Sequence, residues 1–103
     1  MDTLLIFKAL SNEKRLLILQ WLKNPKENFI QPQHLTQHEH FDGGVCVGNI
    51  QKKAGLAQSV ISGYLDMMQK AGLLESKRIG KWTYYRRNEK VIQEFANFIK
   101  KEL

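Results

Sequence analysis

Four residues in one short stretch are of the kind that reads base edges: Gln58, Ser59, Ser62 and Gly63. They fall outside the spacing of Ile50, Ala54, Leu56, Val60, Ile61, Leu65 and Met68, which recurs at helical intervals and predicts a shared core. The outer face left over is small and polar. A glutamine amide offers both a donor and an acceptor to a base, and small neighbours let a helix press into a major groove. Lys52 and Lys53 lie before this stretch and Lys77, Arg78 and Lys81 after it, the charges that phosphates call for.

A second group could do thiol or metal chemistry. Cys46 stands between Val45 and Val47, where a small buried residue would serve; the other readings are a redox-active thiol and a metal thiolate. His34, His38, His40 and Cys46 together supply three nitrogens and one sulfur, a set that fits tetrahedral zinc, and His34 and His38 share a face if Pro32 opens a helical turn. Their spacing matches no established zinc pattern, and a solvated polar loop is the competing reading. No cofactor is expected. No nucleophile elbow, phosphate-cradling glycine loop or HExxH pattern occurs, and the ten acids are scattered, so an enzyme is not expected either.

The elements that must position these residues follow from pattern and punctuation. Thr3 to Leu10 reads as a short amphipathic helix. Ser11 is expected to cap a second one, with Glu13 in its first turn, which carries Leu16, Leu17, Ile18, Leu19 and Leu22 and stops at Asn24-Pro25. From about 25 to 45 the pattern breaks down into a long inserted loop ending at Asp42-Gly43-Gly44. A helix then leads to Gly55, where two helices meeting steeply need a residue tolerant of positive φ. The next helix, about Gln58 to Lys70, ends at Gly72 as a left-handed cap. Two β-prone segments around Gly80-Lys81 make a hairpin, with Lys77, Arg78, Lys81, Arg86 and Arg87 expected on and beside its tip. Trp82, Tyr84 and Tyr85 are expected to pack against helices. Glu89 to Leu103 closes the chain as a helix with Val91, Ile92, Phe95, Phe98, Ile99 and Leu103 on one stripe. The fold class expected is mainly α with a small β-hairpin wing, a winged helix–turn–helix in the order α-α-α-α-β-β-α, in one domain spanning 1–103.

Bulk properties agree. The 103 residues hold 16 Lys and Arg against 10 Asp and Glu, a formal net charge of +6 that favours a polyanionic partner. The single cysteine excludes an internal disulfide and suits a reducing cytoplasm. No apolar run approaches membrane-spanning length.

Three passages resemble the ArsR-type winged-helix repressors of bacteria. Phe7-Lys8-Ala9-Leu10-Ser11-Asn12-Glu13-Lys14-Arg15-Leu16-Leu17-Ile18-Leu19 is similar to that family's opening. Ala57 to Leu65 resembles its recognition helix, and Lys70-Ala71-Gly72-Leu73-Leu74 with Arg78 to Tyr85 resembles the approach to its wing. The resemblance implies a homodimer through residues 3–10 and 89–103, repression at a palindromic duplex, and release by a small effector. It also implies DNA contacts at Gln58, Ser59, Ser62 and Gly63. The chain departs from the pattern at Ala57, where the family has a serine cap, and at Gly63 and Tyr64, where it has paired histidines. Metal-sensing relatives use a Cys-x-Cys pair or acids and histidines on the last helix; Val45-Cys46-Val47 has one sulfur, and the last helix has neither His nor Asp. The rival function is a winged helix that docks protein rather than DNA.

Overall fold

The computed structural model describes residues 1–30 and 41–103. Helix α1 spans Thr3–Leu10 and α2 spans Glu13–Lys23, joined by a two-residue corner. The cap of α2 is Asn12, whose side chain accepts from the Arg15 N–H at 3.0 Å. Ser11, expected in that role, instead closes α1: its N–H and its hydroxyl both donate to the Lys8 carbonyl. Either residue type can cap, and the place where α1 stops decides between them. Pro25 ends α2 as expected and then opens a single helical turn, α3 (Pro25–Asn28), by occupying the first helical position, where a missing N–H costs nothing.

After the turn at Asp42 and Gly43 comes a two-residue strand, β1 (Val45–Cys46), and then α4 (Val47–Ala54). Gly55 sits at φ 69° and ends α4, as a steep helix–helix corner demands. The Lys14 ammonium donates to the Ala54 carbonyl at 3.0 Å, so α2 supplies a cation to the negative end of α4. Helix α5 runs Gln58–Lys70, the span read from the sequence. It finishes in a Schellman arrangement: the Gly72 N–H bonds the Gln69 carbonyl, the Leu73 N–H bonds the Met68 carbonyl, and both Leu73 and Met68 are buried.

Strands β2 (Leu74–Ile79) and β3 (Trp82–Arg87) form the hairpin about Gly80-Lys81, with Leu74 opposite Arg87 and Ile79 opposite Trp82. β1 adds on the far side of β3, so the sheet has three antiparallel strands in the order β1-β3-β2. The expected loop over 25–45 is therefore cut back at both ends, by α3 and by β1. Helix α6 (Glu89–Glu102) closes the chain, capped by Asn88.

The main core lies where α1, α2, α4 and α5 meet the inner side of the sheet, with Ile6, Ile18, Ile50, Ile61, Leu65 and Met68 fully enclosed. A smaller cluster of Phe41, Cys46 and Tyr84, with Ile79 beside it, backs the outer side. Arg15 is the one buried charged side chain among the described residues. Its Nε donates to the Ala9 carbonyl at 2.7 Å and Nη2 to the Lys8 carbonyl at 3.2 Å, while its guanidinium lies 4.9 Å from the centre of the Tyr64 ring. Arg15 thus closes the end of α1 and ties it to α5. The fold is a winged helix, mainly helical, with a three-stranded wing. Among the described residues no helix is long and apolar enough to cross a membrane.

Candidate nucleic-acid interface

Helix α5 is held by Ile61, Leu65 and Met68, spaced to bury one side. That leaves Ser59, Ser62 and Gly63 on the opposite side, all exposed; Gln58 is exposed too, as the first residue of the helix, one turn ahead of Ile61. Val60 joins them, 38% exposed, although the spacing predicts it in the core. On a helix it lies about 100° back from Ile61, at the margin of the apolar stripe, and a wheel centred on Ile61, Leu65 and Met68 finds it there. Gly63 has open space around it: a Cβ built on its backbone meets nothing within 4 Å. Packing among the described residues does not ask for glycine at this position.

The electrostatics around this face are one-sided. Neither α4 nor α5 carries an acid in its first turn, and neither N-cap, Cys46 or Ala57, makes a side-chain bond to it. The first-turn N–H groups of α5 are therefore left as donors beside the polar face. Lys52 and Lys53 are exposed in the last turn of α4, the Lys53 ammonium 5.1 Å from the Trp21 ring centre. Lys70 pairs with Asp66 at 2.9 Å across one turn, which neutralises the acid on this side of α5.

The wing divides its charges. Lys77, Arg78 and Lys81 are exposed toward the tip; Arg78 Nε donates to the Gly80 carbonyl at 3.3 Å, and the Lys81 ammonium sits 6.0 Å from the Trp82 ring centre. Arg86 and Arg87, expected with them, are instead at the base and are committed. Arg86 pairs with Glu75 at 3.2 Å and stacks 4.2 Å from the Phe41 ring centre. Arg87 grips both Glu89 oxygens, at 2.8 and 3.1 Å, and donates to the Leu19 carbonyl. Register explains the difference, since the last residues of β3 face the first of β2 and the start of α6. Tyr85 packs against the core, as expected; Tyr84 is buried instead on the outer side among Phe41, Cys46 and Ile79, and Trp82 at the tip is 46% exposed, so both depart from the expected packing against helices. Burial, and after it the neighbouring Cys46, push the Tyr84 pKa above its usual value; burial and then Asp66 do the same for Tyr85.

Cys46 pairs with Tyr84 in the sheet and is buried among Phe41, Tyr84 and Ile79, the environment of a packing residue. His34, His38 and His40 lie outside the described residues. Among the described residues, no three His, Cys, Asp or Glu side chains converge as metal ligands. Beside Asp42 and Gly43 opens a polar cleft of about 640 Å³, lined also by Lys23, Glu75, Arg86 and Glu89.

No family model matches the chain. The uncharacterized HTH-type transcriptional regulator YbzH of Bacillus subtilis (strain 168) is 46% identical over 106 residues, covering 100% of both chains. The homodimeric winged helix-turn-helix DNA-binding domain Mb0332 from Mycobacterium bovis superposes with a TM-score of 0.64 at 29% identity, over 90% of this chain and 70% of that one. The ArsR family transcriptional regulator RHA00566 gives a TM-score of 0.70 over 95% of this chain and 82% of its own, with 13% identity, a likeness of fold. A small polar face on the second helix of a helix–turn–helix, a wing with a cationic tip and a full-length regulator at this identity leave no place for an enzyme. The chain belongs to the ArsR family of helix–turn–helix transcriptional regulators.

Proposed function

We propose that the protein is a homodimeric repressor that binds a palindromic duplex through α5 and the wing tip and is released by an effector. The observation that carries this is the exposed face of Gln58, Ser59, Ser62 and Gly63, with uncapped N–H groups at its start and cations at its flanks. Gln58 and Ser62 read base edges in the major groove, while Lys52, Lys53, Lys77, Arg78 and Lys81 neutralise phosphates. The dimer forms through α1 and α6, where Leu4, Leu5, Phe7, Ile99 and Leu103 remain exposed. A cytoplasmic location accords with the single cysteine.

The effector is a small molecule or a redox cue acting through the segment ahead of Cys46 and the dimer interface, with a soft metal as the lesser option. The cleft beside Asp42 touches both the wing base and the start of α6, so a ligand there would meet the reading and the dimerising elements together. Such a ligand releases DNA only by binding the incompetent state more tightly.

Paired substitutions test the reading. Gln58→Ala with Ser62→Ala should erode discrimination between a selected duplex and random DNA by about tenfold to a hundredfold. Arg78→Ala with Lys81→Ala should weaken binding to both alike and flatten the dependence on salt by roughly two ion equivalents per protomer. If all four changes leave duplex binding untouched, the polar face docks protein and the DNA reading is wrong.

A further inference from the structure

Val60 and Gly63 are three residues apart on α5, which places Gly63 about 60° around the helix and about 4.5 Å further along. Val60 is 38% exposed and Gly63 offers no side chain, with no described residue within 4 Å of where one would begin. The pair makes a shallow notch with an apolar wall. No described residue fills it, and an interior helical glycine weakens the helix. The exposed apolar residues that suit a second copy lie on α1 and α6, other elements altogether. Beside the notch on α5 lie Ser59, Ser62 and the Asp66–Lys70 ion pair, with uncapped N–H groups at the start of the helix. An apolar spot set in such a surface fits a group that is apolar itself but carried on a polyanion.

We propose that the notch receives the C5-methyl group of a thymine in the major groove, making Val60 a specificity-determining residue and Gly63 the opening that admits the base. Thymine is the base that presents a methyl group there. This rests on the DNA reading above and adds to it what one position in each half-site must be. Gln58 and Ser62 supply hydrogen bonds; Val60 supplies discrimination by apolar contact.

The probe is a duplex selected by the protein itself from a random library, with each thymine replaced in turn by deoxyuridine, which lacks only the methyl. At one position per half-site the replacement should weaken binding about fourfold, the worth of one methyl removed from water. Val60→Ser, an exposed change that leaves the melting temperature close to the parent's, should bind thymine and deoxyuridine duplexes equally at that position. Gly63→Ala should melt roughly 4–8 °C higher and yet lose affinity for the selected duplex. No position sensitive to the methyl, or a Val60→Ser protein that discriminates as the parent does, would overturn the notch and leave DNA binding standing. If no duplex can be selected, the DNA reading falls and the notch with it.

Discussion

Arg15→Met should lower stability by about 3 kcal/mol and the melting temperature by roughly 12–24 °C. The side chain is nine-tenths buried and donates to the Ala9 carbonyl at 2.7 Å and to the Lys8 carbonyl at 3.2 Å. Lys8 keeps partners without it, because the Ser11 N–H and hydroxyl also donate to that oxygen. Ala9 loses its side-chain donor at the end of α1, where the last carbonyls have no helical partner. The cation over Tyr64 goes as well, and with it a tie between α1 and α5. Arg15→Lys keeps one donor and the charge but not the planar fork, so its loss should be smaller. Gln20→Ala, exposed on the same helix, should change stability by less than about 0.5 kcal/mol. Thermal melting at fixed protein concentration decides it; an Arg15→Met protein that melts with the parent would show that α1 is closed by other means.

Ile99→Asp should convert the proposed homodimer to monomer and weaken binding to a palindromic duplex by about a hundredfold or more, because the second half-site then has to be bound independently. Phe7 of α1 and Phe95 of α6 meet edge to face with ring centres 5.2 Å apart. Phe95 is buried in the core, whereas Leu4, Leu5, Phe7, Ile99 and Leu103 stay exposed, apolar residues that a second copy could cover. A charge placed there would have to be desolvated by a partner protomer. Gln93→Asp, on the exposed polar side of the same helix, should leave assembly intact. Sedimentation should give twice 12.0 kDa for the parent and 12.0 kDa for Ile99→Asp. A parent that sediments at 12.0 kDa would show that the stripe needs no partner.

What the sequence made legible was set by local chemistry. The span Gln58–Lys70, Gly55 at positive φ and the glycine cap at Gly72 all follow from spacing and from conformations that side chains resist. The hairpin followed from Gly80-Lys81 between β-prone runs. β1 did not, because a two-residue strand is made by its partner β3 and has no periodicity of its own. Arg86 and Arg87 read as wing-tip charges because composition counts cations but not their partners; register assigns Arg86 to Glu75, and the start of α6 brings Glu89 to Arg87. Val60 was misplaced for a similar reason. A valine at the margin of an apolar stripe belongs to whichever surface the neighbouring helices leave uncovered, and that is a tertiary fact.

The central claim is that α5 and the wing read a particular duplex. Its most direct measurement is binding of the unmodified protein to a duplex selected from a random library, against a scrambled duplex of equal length, across a range of salt concentrations. A preference of at least about a thousandfold at physiological salt, with affinity for both falling steeply as salt rises, is the predicted result. Equal affinity for the two duplexes at every salt concentration would contradict it.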